Sequence, residues 1–151
     1  MVNVAPGTYN EPFRLGAVNG TSATNTITIN GNGATLVYTT SDANNRGIVQ
    51  LNGTDYITIN NLNLNGYSTS TSLYAYGVYL FNNADFVTIN GCNIILDSVG
   101  TSSLYGGIIV SGSNTSPTTN GSNCDNLTIT NNTVSGGYYG VTLMGLSLIH
   151  I

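Results

Sequence analysis

Apolar and polar positions alternate with period two in four short blocks. They are Asn25-Thr26-Ile27-Thr28-Ile29-Asn30-Gly31, Asp55-Tyr56-Ile57-Thr58-Ile59-Asn60-Asn61, Asp85-Phe86-Val87-Thr88-Ile89-Asn90-Gly91 and Asp125-Asn126-Leu127-Thr128-Ile129-Thr130-Asn131. Such alternation predicts a strand with one buried face, and the closing Asn and Gly predict a turn. The second isoleucines, at 29, 59, 89 and 129, are 30, 30 and 40 residues apart. A second strand type opens on glycine: Gly47-Ile48-Val49-Gln50-Leu51, Gly77-Val78-Tyr79-Leu80-Phe81, Gly107-Ile108-Ile109-Val110 and Gly140-Val141-Thr142-Leu143. Its steps are 30, 30 and 33 residues. A short third strand follows the first type, at Leu62-Asn63-Leu64 and Cys92-Asn93-Ile94. The irregular steps reduce to loop changes: an insertion of 10 residues between Gly112 and Asn123, and a deletion of seven before Gly140. Strands kept while loops vary are the mark of a stacked repeat.

Three short strands per ~30-residue unit predict an all-β fold, a right-handed parallel β-helix of about four to five coils. Coils stacked ~4.8 Å apart turn equivalent residues into columns. Ile29, Ile59, Ile89 and Ile129 form one expected inward column, and Ile27, Ile57, Val87 and Leu127 another. In the glycine-led strands the expected inward set is Ile48, Gln50, Val78, Leu80, Ile108, Val110, Val141 and Leu143. Gln50 strains that choice, because a buried amide needs partners.

Composition agrees. Asn (23 residues) and Thr (21) dominate, with Gly at 19 and charged residues at only 5%, which favours strands and turns over helices. A hydrophobic content of 40% is enough for a core. The net charge is −4 and the only cations are Arg14 and Arg46, too few for a nucleic-acid surface. No apolar run approaches the ~20 residues of a membrane span, and no signal peptide is visible before Val2-Asn3-Val4.

The N-terminal Val2-Asn3-Val4-Ala5-Pro6-Gly7-Thr8-Tyr9-Asn10-Glu11 resembles the first full coil of pectin-lyase-like β-helix proteins. The Thr-Ile blocks after it resemble repeats of large secreted bacterial β-helix proteins, many of them surface proteins or adhesins. The resemblance covers roughly residues 2 to 145. It implies a secreted or cell-surface location and a bacterial source. It also implies a non-catalytic, adhesin-like or glycan-binding segment whose partners are a polysaccharide or cell-surface glycan and neighbouring coils of the parent protein. Two alternatives stay open: a fragment of a polysaccharide lyase or glycoside hydrolase with its catalytic coils missing, and a structural stalk. No cofactor is expected. Residues 1–145 are expected to be a β-helix fragment truncated at both ends. Leu146-Ser147-Leu148-Ile149-His150-Ile151 breaks the pattern and matches the translation of a transposon-end library adapter, so residues 146–151 are expected to be an artefact.

Five features could carry chemistry. Asn25, Asp55, Asp85 and Asp125 share a column, and adjacent carboxylates ~5 Å apart suit a retaining glycosidase or a shared Ca²⁺. The plainer reading is an Asx turn at each strand entry. Glycan lyases of this fold pair acids with bases, and Arg14 and Arg46 fall in no matching columns. Thr28, Thr58, Thr88 and Thr128 form an outward column, which reads as cross-coil strand contacts. Asn30, Asn60 and Asn90, with Asn61 and Asn131, read as amide ladders. Cys92 should be a buried apolar residue beside Leu62, with no bond to Cys124. The candidate binding residues are tyrosines: Tyr74, Tyr76, Tyr105, Tyr138 and Tyr139 just before glycine-led strands, and Tyr79 pointing outward from one. Gathered on one side, they could stack on sugar rings; alternatively they pack under their own loops. Exposed coplanar rings would mark a binding segment, and rings buried under loops a stalk.

Overall fold

The computed structural model describes residues 1–97, 102–121 and 124–145. Each repeat supplies three strands. In chain order they are β1 (Val2–Asn3), β2 (Thr8–Tyr9) and β3 (Phe13–Gly16); β4 (Ile27–Asn30), β5 (Thr35–Val37) and β6 (Gly47–Asn52); β7 (Ile57–Asn60), β8 (Asn63–Asn65) and β9 (Ala75–Phe81); β10 (Thr88–Asn90), β11 (Asn93–Ile95) and β12 (Tyr105–Val110); and β13 (Thr128–Thr130), β14 (Thr133–Ser135) and β15 (Tyr139–Leu143). Each strand pairs in parallel with its counterparts in the coils above and below. The result is three five-stranded parallel sheets, β1-β4-β7-β10-β13, β2-β5-β8-β11-β14 and β3-β6-β9-β12-β15, wound as a five-coil β-solenoid. The arrangement is consistent with the right-handed sense expected from sequence. There is no helix among the described residues, so none is long and apolar enough to cross a membrane.

The first sheet has the expected register: Val2, Ile29, Ile59, Ile89 and Ile129 stand in one column. Ile57, Ile59, Val87 and Ile89 are fully buried. Each buried aliphatic side chain contributes roughly 1.5–3 kcal/mol. On the outer side, the amide of Asn30 donates to Asn3, that of Asn60 to Asn30 (3.1 Å) and that of Asn90 to Asn60 (3.2 Å). The ladder ends at Thr130, whose hydroxyl donates to Asn90. Asn131 joins it by donating to Asn90, and both Asn61 and Asn131 take the left-handed backbone of the turn, with φ 51° and 55°. In the second sheet Cys92 lies beside Leu62 and is buried, and both cysteines are free thiols.

The third sheet departs from the expected register by one residue in the second coil. Val49 and Leu51, not Ile48 and Gln50, pair with Val78 and Leu80. Gln50 therefore stands in the outer column of Arg14, Tyr79, Ile109 and Thr142. There its amide accepts the N–H of Gly47 and donates to the carbonyl of Asn44, both at 3.3 Å. The core offers no such partners, which is the physical reason for the shift. Two successive residues there, Ile48 and Val49, both pack into the main core. In the next coils glycines fill the first of those places. A Cβ on Gly77 would lie 2.5 Å from Ile94 Cγ2, and one on Gly107 would lie 2.2 Å from the Gly140 carbonyl.

Candidate functional site

The six tyrosines singled out from sequence all lie on or beside the third sheet, but they do not form one exposed face. Tyr76 and Tyr79 of β9 point away from the main core and are nevertheless completely buried. They form a second, outer apolar cluster with Phe81 and Ile109, against which Tyr139 packs. The rings are crossed: Tyr76 meets Tyr79 at 88° with centroids 5.1 Å apart, and Tyr79 is tilted 53° from Phe81. Tyr105 belongs to the main core instead. Tyr74 is half-buried, and only Tyr138 is exposed, at 51%. Tyr138 and Tyr139 meet edge to face, 86° apart. Within that sheet the rings divide between its two faces, Tyr105 in the main core and Tyr76 and Tyr79 in the outer cluster.

Glycine makes room for the outer rings. The column runs Gly47, Tyr76, Gly106, Tyr139, alternating small and large across the coils. A Cβ on Gly106 would stand 3.3 Å from the Tyr76 ring, and one on Gly47 would stand 3.1 Å from Tyr79 Cβ.

What buries the rings is loop. The Tyr76 hydroxyl donates to the carbonyl of Ser103 (2.9 Å), and that of Tyr105 to Ser70 (3.0 Å). The Tyr79 hydroxyl donates to the carbonyls of Ser113 and Ser116. Those serines lie in the ten-residue insertion, which folds back over the sheet. Ser111 ties the insertion's ends by donating to Ser116 and accepting from the N–H of Thr119. At its tip, Asn114 reaches Asn44, two coils away. Burial pushes the Tyr76 and Tyr79 hydroxyls upward from the ordinary phenol value, so both are protonated donors at neutral pH.

Both arginines converge on the loop before β6. Arg46 is buried, with its guanidinium 4.1 Å above the Tyr74 ring, and donates to the Tyr76 hydroxyl and the Ala43 carbonyl. Arg14 lies over the Tyr38 ring at 5.2 Å and donates to its hydroxyl at 2.8 Å and to the Asn45 carbonyl at 3.5 Å. Neither arginine was assigned a role from sequence. The available signal was the 30-residue step from Arg46 to Tyr76, the same step that links the ladder asparagines. Beside Arg14 a shallow groove of about 180 Å³ is lined by Leu15, Gly16, Gln50 and Asn52.

The aspartate column forms a ladder of its own. The Asp55 carboxylate accepts the N–H of Asp85 (2.9 Å), and the Asp85 carboxylate that of Asp125 (2.7 Å). The Asx pattern thus works between coils rather than within one turn. The residue after each aspartate, Tyr56, Phe86 or Asn126, takes φ near +55°. Tyr56 and Phe86 stack 4.4 Å apart and parallel to within 5°. Partial burial raises the Asp85 carboxyl above its ordinary value, the Asp125 N–H opposes this, and the charges of Asp125 and Asp55 add to it. Nearby, burial and then the same aspartates raise the Cys124 thiol to about 12, so it is a poor nucleophile. Among the described residues no three His, Cys, Asp or Glu side chains converge as a metal site.

Comparison with family models, curated proteins and solved structures found no match for this chain. His150, with the rest of residues 146–151, lies outside the described residues.

Proposed function

We propose that the chain is a non-catalytic stalk segment of a secreted or cell-surface β-helix protein, of the pectin-lyase-like kind suggested by Pro6-Gly7-Thr8-Tyr9. One observation carries this reading. The hydroxyls of Tyr76, Tyr79 and Tyr105, three of the six candidate sugar-binding rings, are buried and spent on loop carbonyls. A ring with a bound hydroxyl and no open face has nothing left with which to hold a sugar. These side chains act as staples that hold Ser-rich loops against the solenoid wall. The aspartate column supports the same reading, because two of its carboxylates are engaged by backbone N–H groups of the next coil.

A second reading, glycan contact through Tyr138, is favoured by that ring's exposure beside Tyr139. A glycan array covering plant, algal and bacterial-surface polysaccharides separates the two. The stalk reading expects no saturable binding by the wild-type chain. Binding that is lost in Tyr138→Ala would overturn it in favour of the second reading. Release of reducing or unsaturated ends from any of these polysaccharides would overturn both.

A further inference from the structure

The outer side of the first sheet carries a two-way array of polar side chains. β4, β7 and β10 each turn a Thr-x-Asn pair outward: Thr28 and Asn30, Thr58 and Asn60, Thr88 and Asn90. β13 continues the array with Thr128 and Thr130. The register is the same at every step, so these residues stand in two unbroken columns. β4, β7 and β10 each have a strand on both sides, so the array owes nothing to the first or last coil. The two columns use their polar atoms differently. The amides of Asn30, Asn60 and Asn90 bond along the ladder at nearly equal distances, 3.1 and 3.2 Å. The hydroxyls of Thr28, Thr58, Thr88 and Thr128 make no hydrogen bond among the described residues. No buried side-chain oxygen there lacks a partner, so these hydroxyls open to solvent.

We propose that this face binds the surface of an ice crystal. The argument is repeat, charge and rigidity. Coils about 4.8 Å apart, with outward residues about 6.6 Å apart along each strand, set the polar groups on a rectangular grid. Such a grid is close to the repeat of water oxygens on the prism faces of hexagonal ice. The eight side chains are all Thr or Asn, so the face is neutral, as the lattice is. An ionised group there would have to give up its own hydration shell to meet the crystal, at a high cost. Threonine is stiff at χ1, and the asparagines are already fixed by their ladder, so little side-chain freedom is lost against a rigid surface. A side-chain ladder is also one of the devices that hold a sheet flat. A sugar chain would need open ring faces. At the edge of this array Tyr56 and Phe86 spend theirs on each other, parallel to within 5°. The inference stands independently of the stalk reading; ice binding and glycan binding are measured separately.

Partitioning of the full chain into a slowly growing ice crystal tests it, together with inhibition of ice recrystallisation. The wild type is expected to be enriched in the ice and to keep small crystals from coarsening. Thr58→Lys sets a charge in the middle of the array and is expected to lose both effects. Ile95→Lys sets the same charge on the exposed outer side of the second sheet and is expected to keep both. A wild type excluded from ice like a non-binding reference protein overturns the proposal. So does Thr58→Lys entering ice as the wild type does, which would place any contact elsewhere, and so does equal loss in Ile95→Lys. A wild type that is excluded from ice but sediments with microcrystalline cellulose or chitin, and no longer does so as Thr58→Lys, would also overturn it and assign the face to a solid polysaccharide. Circular dichroism checks that each variant keeps its β spectrum. If Thr58→Lys does not, Thr88→Lys, one coil along the same column, replaces it.

Discussion

At the scale of the residue, the fold depends on what stands at the head of the third sheet's strands. Gly107 and Gly140 are neighbours in one column but differ in surroundings. A Cβ on Gly107 meets the Gly140 carbonyl at 2.2 Å and Val134 Cγ1 at 2.6 Å, while one on Gly140 meets nothing within 4 Å. Gly107→Ala is expected to cost roughly 1–3 kcal/mol through overpacking against backbone, and Gly140→Ala to stay within about 0.5 kcal/mol of wild type, by denaturant melts. Equal effects would mean that the column is not tightly packed at Gly107. Asp85 gives a prediction in pH. Its carboxyl titrates above the ordinary 3.8, with burial as the main cause. A raised folded pKa means that the native state holds the proton more tightly than the unfolded chain. This group's contribution is therefore present below the unfolded pKa and is lost as pH rises through the folded one. Asp85→Asn keeps an acceptor for the Asp125 N–H and removes the charge. It is expected to gain less than about 1 kcal/mol at neutral pH, since the group is largely solvent-screened, and to gain nothing once wild-type Asp85 is protonated. A gain that persists in acid would assign the effect to something other than ionisation.

At the scale of the element, tyrosine hydroxyls bind loops to strands. The insertion after β12 rests on Tyr79 through Ser113 and Ser116 and on Ser111 at its base. Tyr79→Phe keeps the ring in the outer cluster and removes only the donor. The expected loss is about 1 kcal/mol for the net hydrogen bonding, with backbone exchange accelerated in residues 112–121 but not in β9. Hydrogen–deuterium exchange by mass spectrometry checks this. Unchanged exchange in the insertion would show that Ser111 and the contact from Asn114 to Asn44 suffice without the tyrosine.

At the scale of the whole molecule, every strand pairs only with its counterparts in adjacent coils, so stability is largely a sum of local and nearest-neighbour terms. β9 is buried along its whole length, whereas β15 carries no fully buried residue. Amide protection is therefore expected to be highest in β6, β9 and β12 and lowest in β1 and β13–β15, with opening that spreads inward from the ends. Uniform protection would indicate that the five coils open as one cooperative unit.

The sequence by itself determined the repeat, the parallel stacking, the first sheet's register, the Asn30–Asn60–Asn90 ladder and the burial of Cys92. All follow from period-two alternation and a 30-residue step, because stacked coils turn equal spacing into contact. Only the tertiary structure decided the rest. Gln50 moved outward because its amide finds partners at Gly47 and Asn44 and none in the core. Aligning the leading glycines hid this: the column of Gly47 holds Tyr76, not Gly77. The tyrosines were legible as a concentration beside one sheet. Whether their rings would be open or covered depended on where the loops of other coils fall. That is set by long-range hydrogen bonds such as Tyr79 to Ser113, 34 residues away, for which the local pattern carries no signal.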